Sequence, residues 1–165
     1  MDAAIIDVLQ RNPNFEAAAR PKKVPQPIYN RYRPGMHYGR YMDHPIVGRP
    51  GERLRTDMSI TIFISDPESY DGGELLIDTE NGPKEIKLPA GDAILYPTIH
   101  YHEVKPVTKG ERLAAVLWIQ SLVKEPHQRA MLYELSMVAD WLHKQHPDKQ
   151  LTKMQMNLLR LWAEN

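Results

Sequence analysis

Two short stretches hold most of the residues able to do chemistry. The first, His37-Tyr38-Gly39-Arg40-Tyr41-Met42-Asp43, reads as a strand. Side chains alternate along a strand, so His37, Tyr41 and Asp43 fall on one face. The second, His100-Tyr101-His102, sets two imidazoles on one face of another strand. Arg112 follows ten residues after His102, beyond a turn over 106–110. A hairpin across that turn would bring Arg112 beside the strand of His102. A carboxylate and imidazoles from separate strands suit one metal ion with coordination positions left open, non-haem Fe(II) first among them. An arginine nearby suits a co-substrate with a carboxylate, because the planar guanidinium engages both oxygens. Taken one at a time, each histidine is as well explained as a polar surface or core residue, and spacing does not name the metal.

These residues need a scaffold of short strands. Apolar and β-branched segments at 28–33, 37–43, 58–65, 74–78, 85–88, 93–96, 100–105 and 112–123 alternate with turn residues such as Pro34-Gly35, Pro50-Gly51, Asp71-Gly72-Gly73, Asn81-Gly82, Ala90-Gly91 and Lys109-Gly110. Ser59-Ile60-Thr61-Ile62-Phe63-Ile64 has the alternation of a half-buried strand. Eight such strands predict a two-sheet barrel or jelly roll. Residues 2–19 begin with a helical pattern (Ile5, Ile6, Val8, Leu9) broken at Asn12-Pro13, and 21–27 reads as extended linker. Beyond Glu125-Pro126 one apolar face runs through Leu132, Leu135, Val138, Ala139 and Leu142. After a break at Pro147-Asp148, Leu151, Met154, Leu158, Leu161 and Trp162 predict a last amphipathic helix.

Composition narrows the function classes. The 165 residues include 21 Lys+Arg against 21 Asp+Glu, a formal net charge of zero, which argues against a basic nucleic-acid binder. Without cysteine there is no disulfide framework, Cys zinc site or thiol nucleophile. No stretch approaches the ~20 apolar residues of a membrane span, and the first residues lack a basic region before an apolar core, so a cytoplasmic protein is expected. The 14 prolines exceed the average of about 5% and sit mostly between strands. The length suggests one domain: an N-terminal helix and linker (1–27), a jelly-roll core (28–123) and a C-terminal helical segment (124–165).

From Asn30-Arg31-Tyr32 onward the chain resembles the bacterial PKHD-type hydroxylases, relatives of prolyl 4-hydroxylases among the Fe(II)/2-oxoglutarate dioxygenases. The likeness is carried by Arg55-Thr56-Asp57, Phe63-Ile64-Ser65-Asp66-Pro67, Ser69-Tyr70-Asp71-Gly72-Gly73-Glu74-Leu75, Leu88-Pro89-Ala90-Gly91-Asp92, Leu95-Tyr96-Pro97 and His102-Glu103-Val104. Further matches are Pro106-Val107-Thr108, Gly110, Arg112, Trp118-Ile119-Gln120-Ser121, Asn157-Leu158-Leu159-Arg160 and, near the start, Arg11-Asn12-Pro13 with Phe15. The resemblance implies a double-stranded β-helix (jelly roll) with flanking helices. It also implies Fe(II), 2-oxoglutarate as co-substrate and ascorbate as a further ligand. The substrate would be a peptide, protein or small molecule, hydroxylated with release of succinate and CO2, with no nucleic acid or membrane partner. Transferred by position, the metal residues are Tyr41, Asp43 and His102. Arg112 anchors the far carboxylate of 2-oxoglutarate, and Tyr32 and Tyr96 line the co-substrate pocket.

Two departures stand out. The family's first histidine ligand falls on Tyr41, and a phenol with a pKa of ~10 must lose its proton to bind a metal well. Weaker iron retention is therefore expected, and a non-catalytic jelly-roll protein that binds 2-oxoglutarate or metal is the alternative. His37 lies roughly 13 Å back along an extended strand. His44 would face the other way, whereas His100 shares the parity of His102 and is the candidate substitute ligand. A cupin-like metal isomerase using His100 and His102 is a third reading. The second departure is that family members carry several tens of residues before the matching part, so a compact variant or a fragment is expected. The acidic loop 66–71 would favour a basic substrate or serve as a solvated turn.

Overall fold

Asn12 ends one helix and starts the next. Its Oδ1 accepts from the backbone N–H groups of Asn14 (2.9 Å) and Phe15 (3.2 Å), and Pro13 occupies the first turn, where it has no donor to lose. Helix α1 (Asp2–Arg11) therefore gives way to α2 (Pro13–Ala19) at the predicted break. The computed structural model describes residues 2–146 and 149–164, so the break expected at Pro147-Asp148 lies outside the described residues. In chain order there follow β1 (Pro21–Lys23), β2 (Ile28–Tyr32), β3 (Tyr38–Tyr41), β4 (Ile46–Val47), β5 (Leu54–Arg55), β6 (Met58–Phe63), β7 (Tyr70–Gly72) and β8 (Leu75–Thr79). After these come β9 (Gly82–Ile86), β10 (Ala93–Pro97), β11 (His102–Val104), β12 (Val107–Gly110), β13 (Arg112–Ser121), α3 (Pro126–Gln145) and α4 (Gln150–Trp162).

The chain divides into two units: the two ends, up to Lys23 and from Gln120, and Val24–Ile119. In the first, β1 pairs with the end of β13 (Pro21↔Ser121), so part of the expected linker is a strand. The Ser121 hydroxyl donates to the Ala19 carbonyl at 2.7 Å, and buried Arg129 donates to the carbonyls of Val123 and Lys124. Helix α4 meets α3 where the Gln155 amide donates to the Leu132 carbonyl at 3.2 Å. Among the described residues no helix is long and apolar enough to cross a membrane.

The second unit contains two four-stranded antiparallel sheets, ordered β2-β13-β6-β10 and β3-β11-β8-β9. Tyr96 and Ile94 of the first sheet pack on Leu75, Ile77 and Val104 of the second, closing one apolar core between them. This is the mainly-β jelly roll expected, with C-terminal helices after it. The hairpin expected across 106–110 does not form. Residues 107–110 are themselves strand β12, which pairs with β7 (Val107↔Gly72, Gly110↔Tyr70) and carries the chain from one sheet to the other. His102 and Arg112 therefore stand on opposite sheets.

The β7–β12 ribbon depends on Gly72, whose φ is +73° and where a Cβ would run into the Pro106 carbonyl oxygen. Gly51 also has a positive φ (+91°) but open space around the missing Cβ. Replacing Gly51 by alanine is expected to cost about 1 kcal/mol of strain, whereas Gly72→Ala adds a backbone collision and should lose ~3 kcal/mol or more. Urea denaturation of both variants checks this, and equal midpoints would remove the close approach as the cause.

Candidate metal and carboxylate site

His102 opens β11 with Tyr41 of β3 as its cross-strand partner, and only 3% of its surface is exposed. Its Nδ1 lies 3.1 Å from the His100 carbonyl. A carbonyl only accepts, so Nδ1 carries a proton, the arrangement that leaves Nε2 as the ring atom able to bind a metal. Nε2 faces Asp43, whose Oδ2 is 3.8 Å away. Both atoms are buried and neither has a hydrogen-bond partner. The separation is too long for a hydrogen bond, and two buried polar atoms left facing one another without partners are costly, a cost that a metal ion between them would remove. The donor set, one carboxylate and one imidazole, fits a divalent transition metal such as Fe(II).

The strand register explains how Tyr41 enters this group. Tyr41 pairs with His102 and Tyr38 with Val104, three residues on β3 against two on β11, so β3 carries a bulge. The extra residue brings Tyr38 and Tyr41 onto one side, with ring centroids 4.6 Å apart and edge to face. The Tyr41 ring lies 4.2 Å from the His102 ring. Burial above all, with Asp43 next, pushes the Tyr41 hydroxyl well above the usual phenol range, so it is a neutral group at physiological pH. Tyr96, on β10, stands edge-on to His102 at 5.2 Å, and burial foremost pushes it up to about 12.

The other predicted histidines do not join. His37 is exposed and precedes β3. His44 is exposed, with its ring nitrogen 2.7 Å from the Ile46 carbonyl. His100 lies in a bend closed by its N–H on the Pro97 carbonyl, so strand parity does not apply to it and its backbone, not its ring, serves His102. Among the described residues no three His, Asp or Glu side chains gather to hold a metal. Among the described residues His100 therefore does not gather with Asp43 and His102 as a third such donor, the arrangement that a substitute ligand and the isomerase reading call for.

Arg112 is the first residue of β13, 1% exposed and in register with Tyr32 of β2. The guanidinium lies 5.5 Å from the Tyr32 ring and 5.4 Å from the Phe63 ring. Burial pulls its pKa down, Tyr70 and Tyr32 oppose that shift, and Nε and Nη2 have no hydrogen-bond partner. A buried cation with unused donors and aromatic walls fits an anion that can accept from it. Tyr96 feels both halves of the site, raised by Asp43 and lowered by Arg112. Two contributors were given no site role by the sequence reading: Phe63 and Tyr70, each quoted only within a segment that carries the family resemblance.

Residues 27–120 match the family model of the 2OG-Fe(II) oxygenase superfamily. A PKHD-type hydroxylase of Paraburkholderia phymatum is 45% identical over 170 residues, covering 99% of this chain and 75% of its own length. One from Pseudomonas putida is 48% identical over 167 residues, covering 98% and 74%. Among solved structures, a prolyl-4-hydroxylase from Pseudomonas putida superposes with a TM-score of 0.53 at 23% identity, over 72% of this chain and 64% of that one, a likeness of fold.

Proposed function

Since the chain belongs to the 2OG-Fe(II) oxygenase superfamily, we propose that Asp43 and His102 hold its Fe(II), with Tyr41 at the third ligand position, and that Arg112 holds its 2-oxoglutarate. By family it is an Fe(II)/2-oxoglutarate dioxygenase, an oxidoreductase related to named hydroxylases. The observation that carries the residue assignment is the facing, unpartnered pair Asp43 Oδ2 and His102 Nε2. Bound there, Fe(II) supplies the oxygen activation that couples decarboxylation of 2-oxoglutarate, to succinate and CO2, to hydroxylation of the substrate. Arg112 donates to the distal carboxylate and so fixes the co-substrate's orientation. Tyr32 packs against the guanidinium and, with Tyr96, lines the pocket and keeps water from it. The His100 carbonyl holds the His102 ring in the tautomer that leaves Nε2 free.

For the substrate we favour a prolyl or other peptide side chain, in line with the prolyl-4-hydroxylase of like fold. Ascorbate as an auxiliary reductant, and a cytoplasmic setting able to keep iron ferrous, belong to the same reading. The test is an anaerobic titration with Fe(II) and 2-oxoglutarate followed by oxygen and a succinate assay. Binding of both with succinate formed is expected. Binding of 2-oxoglutarate without succinate would favour the non-catalytic alternative, for which Tyr41 is the specific reason, and no binding would overturn the assignment.

A further inference from the structure

Asp43 Oδ2 and His102 Nε2 face one another at 3.8 Å, buried and unpartnered, so in the metal-free chain each side chain would gain by turning away. Strand pairing alone does not hold them there. The β3–β11 ladder ends at Tyr41↔His102, and Asp43 lies two residues beyond the end of β3. Two buried threonines, Thr56 (4% exposed) and Thr98 (6%), take over where the ladder stops. Thr56 follows β5 and grips the chain just after Asp43. Its hydroxyl donates to the His44 carbonyl at 2.7 Å and its N–H to the Pro45 carbonyl at 3.0 Å. On its other side the Thr56 carbonyl accepts the Thr98 hydroxyl at 2.5 Å. Thr98 directly follows β10, and its N–H donates to the Asp57 carbonyl at 3.3 Å. It leads into the turn in which the His100 N–H donates to the Pro97 carbonyl and the His100 carbonyl meets Nδ1 of His102. Two hydroxyls and short lengths of backbone thus connect the residue after Asp43 to the imidazole of His102.

We propose that Thr56 and Thr98 are positioning residues of the metal site, a buried hydroxyl pair that locks the backbone after Asp43 to the turn that aims His102. This rests on the assignment of Asp43 and His102 to the metal. Each threonine acts through backbone carbonyls, not on the donor atoms themselves. The lock matters because Tyr41 is a neutral phenol, which leaves two side chains to supply most of the affinity. Donors already in place lose little freedom when the ion arrives, so a site short of one strong ligand depends on their preorganisation.

The test is Co(II) binding to the metal-free chain, read by chelator competition and by the visible ligand-field spectrum of the bound ion. Groups that orient metal ligands alter affinity by roughly 10–100-fold. Thr56→Val keeps the shape and removes the donor, so it is expected to weaken Co(II) about 10-fold and to shift the spectrum, and Thr98→Val likewise. Thr56→Ser and Thr98→Ser keep the hydroxyl and should hold the affinity within about threefold of the parent chain, with the parent's spectrum. Because the two residues act in series, the double valine variant should lose about 10-fold and not about 100-fold. Calorimetric binding of 2-oxoglutarate to the metal-free protein, which depends on Arg112, should stay within about twofold throughout. Should one valine variant fail to fold, the other decides, with its serine control. Unchanged Co(II) affinity and spectrum in the valine variants would overturn the proposal and leave the Asp43–His102 assignment standing. Equal weakening of Co(II) and 2-oxoglutarate would also overturn it, as a general loosening of the fold. Failure of the parent chain to bind Co(II), or full binding by Asp43→Ala, would overturn the underlying assignment.

Discussion

Tyr41→His is expected to raise Fe(II) affinity by about 10- to 100-fold, and to raise succinate formation with it. The magnitude follows from protonation. Even a phenol of ordinary pKa, ~10, costs about 4 kcal/mol to ionise at pH 7, and burial beside Asp43 moves Tyr41 further up. An imidazole with a pKa of ~6.5 is already neutral there and offers its lone pair at almost no cost. Changes in groups that merely support a ligand alter metal affinity by roughly 10–100-fold, so a gained ligand should do no less. Anaerobic competition against a chelator measures the change, and Tyr41→Phe separates the explanations. If the phenol contributes nothing to metal binding, Phe should leave the affinity within about threefold of the parent chain, while a large loss would show that Tyr41 binds as phenolate. No gain from histidine would sink the account of Tyr41 as the impaired ligand position.

How far these residues could be read beforehand depended on whether the needed information was local. The Asn12-Pro13 break and the strands around Ser59–Phe63 and Ala93–Tyr96 were legible because capping, turn chemistry and alternation act over a few neighbours. The same reasoning failed at β3 and at His100, each for a specific reason. Parity assumes a regular strand, and the bulge in β3 adds a residue that brings Tyr38 and Tyr41 to one side. His100 belongs to a turn closed on Pro97, outside β11, so strand parity with His102 has no force there. The pairing of β7 with β12 joins residues some 35 to 40 positions apart, a contact that no short-range pattern announces. The place of Tyr70 was missed with it, because only that pairing brings a residue at a loop edge up to Arg112.

Arg112→Met should abolish 2-oxoglutarate binding while leaving the ligand-free protein as stable as the parent, or more stable. Truncating one partner of a buried, hydrogen-bonded charge pair costs about 2–5 kcal/mol, which is roughly 30- to 4,000-fold in affinity. Stability runs the other way because of what Arg112 lacks. It is 1% exposed, two of its nitrogens have no partner, and among the described residues no carboxylate pairs with it. An uncompensated buried cation is an electrostatic liability in the free protein, and an apolar side chain of similar length is often neutral or stabilising in such a place. Methionine keeps an apolar stem of similar length, and what is lost is the guanidinium near the Tyr32 and Phe63 rings, with its charge and donors. Arg112→Lys should not rescue binding fully, because a single ammonium cannot reproduce two fixed N–H donors to two carboxylate oxygens. Calorimetry with 2-oxoglutarate and urea denaturation of the ligand-free chains measure the two effects separately. A loss of more than about 3 kcal/mol in Arg112→Met stability would mean that the guanidinium holds the jelly roll together, and the anion site would then have to be sought elsewhere.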